Sequence, residues 1–111
     1  MATTYKILGQ LAAASAITAT EAVYTCPAAT QTIISTMTVC NRSSGTAVYR
    51  IAVRPNGTAA AAQHYIAYDS YIAGNDTIAL TLGITVDAAD IIGAYASNAN
   101  LTFNCYGAEI V

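Results

Sequence analysis

His64 is the one histidine of the chain, so any imidazole-dependent mechanism has to pass through it. A hydrolytic triad needs a nucleophile and an orienting acid beside the ring. Asp69 and Ser70 are near in sequence, but no motif of that chemistry surrounds them. A lone histidine in Gln63-His64-Tyr65 reads as a surface or partner contact. Asp87 and Asp90 are the residue types of a glycosidase acid pair or a cation site. They flank a four-residue turn, where aspartate ordinarily accepts hydrogen bonds from local backbone. The sequence has neither the oxygen-rich loop that calcium needs nor the close Cys/His spacing that zinc needs, and it has no glycine-rich phosphate loop. No metal or cofactor is expected, and the chain reads as a non-enzyme.

The remaining groups suit contact rather than catalysis. Arg42, Arg50 and Arg54 carry three of the four positive charges, and no acid lies between positions 42 and 54. That hairpin is +3 against −5 for the rest of the chain. It reads equally as a solvated face paired to acids of its own chain and as a docking surface for carboxylates of a neighbour. Eight tyrosines, with one phenylalanine and no tryptophan, offer rings with an apolar body and a polar tip. Tyr65, Tyr68 and Tyr71 are candidates for sugar stacking or for an interface. Their spacing of three keeps them from all sharing one face of a regular strand.

Composition narrows the class. One hundred and eleven residues make one domain, spanning 1–111. Hydrophobic residues are 55% and charged residues 9%, the opposite of a disordered chain. Four basic residues and a net charge of −2 argue against a nucleic-acid binder, which needs clustered Lys and Arg to neutralise phosphates. Charge depletion is a property of interface cores, so self-association is favoured over a free monomer. No stretch approaches the ~20 apolar residues of a spanning helix, so no membrane partner is expected. Lys6, Ile7, Leu8 and the small residues of 11–16 faintly imitate a signal peptide, but Gln10 interrupts the apolar part, and a chain made without a cleaved signal is expected. Cys26, Cys40 and Cys105 are odd in number and widely spaced, which reads as reduced, buried thiols in a reducing cytoplasm. Asn-x-Ser/Thr sequons at Asn41, Asn56, Asn75 and Asn100 fall at turns, where turn chemistry explains them.

The elements that must position these residues are strands. Ile78, Leu80, Leu82, Ile84 and Val86 alternate with small or polar residues, which predicts one strand with one buried face. Tyr49, Ile51 and Val53 alternate with Val48, Arg50, Ala52 and Arg54, so both arginines face outward together. Positions 30–40 place Ile33, Met37 and Val39 on one side and Ile34, Thr36 and Cys40 on the other. Turns follow at 41–45 and at Pro55-Asn56-Gly57. Further strands are expected at 4–8, 20–25, 63–68, 90–96 and 101–110, with single helical turns at 11–16 and 58–62. About eight short strands predict an all-β fold, a single antiparallel β-sandwich of jelly-roll or immunoglobulin-like type.

Several segments together carry a resemblance: Thr4-Tyr5-Lys6-Ile7-Leu8-Gly9-Gln10, Val23-Tyr24-Thr25-Cys26-Pro27, Ile34-Ser35-Thr36-Met37-Thr38-Val39-Cys40-Asn41, Tyr49-Arg50-Ile51-Ala52-Val53-Arg54-Pro55, His64-Tyr65-Ile66-Ala67-Tyr68-Asp69 and Leu80-Thr81-Leu82-Gly83-Ile84. The set resembles small virion structural proteins of tailed bacteriophages over nearly the whole chain. The segments pattern a fold rather than a catalytic signature. Cys26 and Cys105 stand where that family usually has an apolar residue or alanine. The resemblance implies a capsid cement or decoration protein, commonly trimeric, seated on the major capsid protein and assembled in the bacterial host cytoplasm. A tail, baseplate or fibre-attachment component is the alternative, and a carbohydrate-binding host-recognition module is a third reading.

Overall fold

A computed structural model describes residues 2–13 and 21–111. Among the described residues nine strands run in chain order: β1 (Thr3–Ala12), β2 (Glu21–Thr25), β3 (Gln31–Asn41), β4 (Ala47–Arg54), β5 (Tyr65–Ile72), β6 (Thr77–Leu80), β7 (Ile84–Val86), β8 (Ile91–Ala96) and β9 (Leu101–Ile110). One antiparallel sheet has the order β1-β9-β3-β6, with β7 also paired to β3, and the other has the order β2-β8-β4-β5. Among the described residues no helix is long and apolar enough to cross a membrane.

The strand order resolves into nested antiparallel pairs: β1 with β9, β2 with β8, β3 with β6 and β7, and β4 with β5. The chain is thus a long hairpin with its tip between β4 and β5, wrapped so that successive pairs fall in alternate sheets. With β6 and β7 counted as one interrupted strand, this is the eight-stranded jelly roll rather than the immunoglobulin order.

The core lies where the two sheets meet, and Phe103, Ile34, Met37, Ile51, Ile72, Ile92, Leu101 and Val39 are its largest fully buried side chains. Leu101, Phe103 and Cys105 of β9 are buried and the residues between them are not, while Ala108, on the outer side by register, is also buried. Strand β9 takes part in both ladders with no extra residue of its own. Its neighbours each have one. The pairing shifts between Ile7 and Gly9 on β1 and between Ile34 and Thr36 on β3, leaving Leu8 and Ser35 as extra residues on either side of β9. Each such bulge reverses the in-out alternation beyond it. Ile33 is therefore 42% exposed and on the outer face, while Thr32 and Ile34 join Met37 and Val39 inside. This corrects the strict alternation expected for 30–40.

Other boundaries also differ from the sequence expectation. Strand β1 continues through Leu11 and Ala12, so these two form no helical turn; positions 14–16, like Thr20, lie outside the described residues. The single 3-10 turns are at Pro55–Gly57 and Ala62–His64, not over 58–62, and β5 starts at Tyr65 and runs to Ile72. The run 78–86 is two strands, because Gly83 at φ 63 turns the chain away from β3. Ile78, Leu80 and Ile84 pack against the core and Val86 is buried, but Leu82, in the break, is 53% exposed.

Glycine is required where a bulge brings backbones together. A Cβ on Gly107 would collide with the carbonyl oxygen of Ile33, just before the β3 bulge, whereas one on Gly45 would meet nothing. Gly107→Ala is expected to cost about 1–3 kcal/mol in urea denaturation, as overpacking does. Gly45→Ala should be neutral or stabilising by up to about 1 kcal/mol. Equal midpoints for the two variants would contradict this account of the bulge.

Candidate functional site

The residues that sequence singled out for catalysis are engaged locally. His64 Nδ1 accepts a hydrogen bond from the Ala61 backbone N–H at 3.0 Å and closes its own 3-10 turn. Asp90 accepts from the backbone N–H groups of Asn56 at 2.9 Å and Asp87 at 2.8 Å, and Asp87 accepts from Ala88 at 2.8 Å. Both acids shape the turn between β7 and β8. Among the described residues no three His, Cys, Asp or Glu side chains converge to hold a metal. Asn41 is buried, and its amide donates to the carbonyls of Gly45, Ile72 and Ala73, which ties the β3–β4 turn to the end of β5.

The three cysteines are free. Cys26 and Cys105 are buried, and burial pushes the Cys105 thiol up to about 11 against a hydrogen bond from the Gly9 backbone. Cys40 is half-buried on the outer side of β3, a departure from the fully buried thiol expected.

Two sheet faces have properties that a site needs. The outer face of β1-β9-β3-β6/β7 follows from the register. It presents Thr3, Tyr5, Ile7, Gln10 and Ala12 on β1, and Thr102, Asn104, Tyr106, Ala108 and Ile110 on β9. It continues with Gln31, Ile33, Thr36, Thr38 and Cys40 on β3, then Thr77, Ala79 and Thr85 on β6 and β7. None of these residues is charged. Tyr5 is 84% exposed and Ile7 55%, and with Ile33 they form an apolar ridge beside Ala108. The sequence signal was the low total charge; where it concentrates depends on the two bulges.

The opposite face, on β2-β8-β4-β5, gathers most of the residues expected at an interface. Two register shifts between β4 and β5 leave Tyr68 and Asp69 facing Arg50, and Ile66 as an extra residue. Asp69 takes φ 50, a conformation that aspartate tolerates better than most residues. Tyr71 lies opposite Val48 and Tyr65 opposite Ala52, both outward positions of β4, so all three tyrosines face the same way. The bulges overturn the expectation that a spacing of three separates them. Tyr65 and Tyr68 meet edge to face with centroids 4.9 Å apart. The Arg50 guanidinium carbon lies 4.1 Å from the Tyr68 centroid and 4.4 Å from that of Tyr95. Arg50 Nε donates to Asp69 Oδ1 at 2.6 Å and Nη2 donates to Oδ2 at 3.2 Å. Asp69, weighed from sequence only as an acid near His64, and Tyr95, not singled out from sequence, complete the cluster.

The other two arginines also have acceptors in their own chain. Arg54 donates to the carbonyls of Thr58 at 2.7 Å and Gly57 at 3.3 Å, and Arg42 to that of Ala99 at 3.2 Å.

At the β1 edge the charges are paired. Glu109 accepts from the Tyr24 hydroxyl at 2.6 Å and pairs with Lys6 at 2.9 Å, and Tyr24 also lies 2.7 Å from the Thr32 hydroxyl. The Tyr24 hydrogen bond, with that of Lys6, holds the Glu109 carboxyl below its usual range. Burial, reinforced by Glu109, raises the Tyr24 phenol. Comparison with protein-family models, curated proteins and solved structures finds no match for this chain.

The lowered carboxyl makes stability depend on acid. A group whose folded value is depressed contributes stability above its unfolded value, about 4.3 for glutamate, and loses it as pH falls through the folded one. Urea midpoints measured from pH 7 down to pH 3 should fall on the acid side, and Glu109→Gln should remove part of that fall. Tyr24→Phe should cost about 1.5–3 kcal/mol at pH 7, because it deletes a hydrogen bond to a charged acceptor. Identical acid limbs for the wild type and Glu109→Gln would contradict the assignment.

Proposed function

We propose that this chain is a non-enzymatic structural component of a tailed-bacteriophage virion, a cement or decoration protein that stabilises the head lattice. The observation that carries its role as an assembly subunit is the charge-free outer face of the β1-β9-β3-β6/β7 sheet. Covering such a face strips no charge of its water, whereas burying an unpaired charge is costly. With ten-residue strands, ~3.3 Å per residue and ~4.8 Å between strands, four strands cover ~600 Å² per subunit. A contact burying that area on each side totals ~1,200 Å², the lower bound of specific interfaces.

The sheet edges are poor alternatives for association. Strand β1 is bulged and carries Lys6, β5 is bulged twice, and β6 and β7 are short and interrupted. These are the features by which proteins discourage edge pairing, which favours contact through a face. The virion assignment itself draws on the family resemblance, and the jelly roll, an architecture used by viral capsid and lectin domains, agrees with it at the level of fold analogy. A symmetric trimer joined to the major capsid protein is the assembly it implies.

Quantitative mass spectrometry of purified virions of a phage that encodes this chain tests the reading. The cement role requires on the order of hundreds of copies per particle, as a lattice demands. A single ring's worth of copies would move the protein to the tail, and absence from the particle would overturn the proposal.

A further inference from the structure

The tyrosine-bearing face of β2-β8-β4-β5 lies on the opposite side of the sandwich from the charge-free face, and assembly through the latter leaves it open. Tyr71 is 77% exposed and Tyr68 58%. Stacking between two rings and two hydrogen bonds to Asp69 fix the Arg50 guanidinium in one orientation. A ligand therefore meets groups that are already ordered, which lowers the entropic cost of binding. Beside them, Tyr65, Tyr68 and the Ala60-Ala61-Ala62 segment border an open hollow of about 540 Å³. That is within the size range of small-ligand sites.

The chemistry of the ligand follows from what remains unspent. A guanidinium has five N–H donors, and Asp69 occupies two of them. The Asp69 carboxylate is half exposed and keeps lone pairs free. Adjacent donors and acceptors fit a vicinal diol, because each hydroxyl both donates and accepts. The negative faces of tyrosine rings attract the weakly positive C–H groups of a pyranose, by the same quadrupole that orders aromatic pairs. Arg50 and Asp69 cancel in charge, so the pair does not select a phosphate or sulfate. The geometry points to a neutral oligosaccharide bound across Tyr68, Tyr71 and the Arg50–Asp69 pair, with the hollow beside Tyr65 receiving a second sugar unit. A proline-rich peptide also uses tyrosine-lined grooves, but it has no diol to engage the ion pair.

The test uses the full chain on an array of neutral gluco-, manno- and galacto-configured oligosaccharides, printed beside sialylated and sulfated ones and a proline-rich peptide. Tyrosine fluorescence titration with the retained sugars gives the affinity. Binding to at least one neutral oligosaccharide with a Kd of ~1 mM or tighter is expected. Tyr71→Ala and Asp69→Asn should each weaken it by about tenfold or more; asparagine tolerates the positive φ at position 69. Tyr71→Ala alters an exposed side chain and keeps the test decisive should Asp69→Asn fail to fold. Retention of no neutral sugar, preference for the anionic ones, binding of the peptide alone, or unchanged affinity in a Tyr68→Ala, Tyr71→Ala double variant would each overturn the inference. Its outcome is independent of virion copy number, so this inference and the proposed structural role fail separately.

Discussion

The antiparallel ladder along β9 is the constraint on which the sandwich depends, because that strand is paired on both edges, with β1 and with β3. It contributes no extra residue to either ladder, so the bulges at Leu8 and Ser35 both fall on its neighbours. Together they re-aim the outer halves of β1 and β3, sending Tyr5 and Ile33 outward and Thr32 and Ile34 inward. The inward turn of Thr32 places its hydroxyl beside Tyr24, across the sandwich, where Glu109 and Lys6 complete the set. Among the described residues every buried side-chain polar atom has a hydrogen-bond partner, so no buried polar group is left to offset the gain from the apolar core.

The ten charges are distributed accordingly. Arg50, Arg54 and Asp69 belong to the tyrosine-bearing sheet; Arg42, Asp76, Asp87 and Asp90 are at turns; Lys6, Glu21 and Glu109 are on β1, β2 and at the paired β1 edge. The two outer faces therefore differ in kind. One offers threonine, tyrosine and isoleucine with nothing to desolvate but neutral groups. The other offers rings organised around an internally neutralised ion pair. Under the proposed roles, assembly through the first face and recognition through the second would use surfaces on opposite sides of the sandwich.

Much of the fold is legible in the residues because burial imposes period two. Tyr49 and Ile51 point inward, Arg50 and Arg54 outward, and the span of β9 is as its pattern indicates. What escapes is whatever a single inserted residue controls. Ser35 reverses the side on which Ile33 falls, and the extra residues of β5 bring Tyr65, Tyr68 and Tyr71 onto one face. Gly83 divides a run whose hydrophobic pattern has no gap. Neither bulge has a local sequence mark, since each is fixed by the strand across the ladder. The choice of jelly roll over immunoglobulin order is likewise a matter of long-range pairing. Among the candidate site residues, Arg50 was legible as an outward charge, but its partner Asp69 stands on another strand.

Charge insertion on the two faces tests most directly whether the uncharged sheet is the assembly surface. Sedimentation of the free protein should show an associated species that Ile33→Lys or Thr36→Lys converts to monomer with the urea midpoint unchanged. Val48→Lys, on the tyrosine-bearing face, should leave association intact. A wild-type monomer, or association indifferent to lysine at both 33 and 36, would contradict the account.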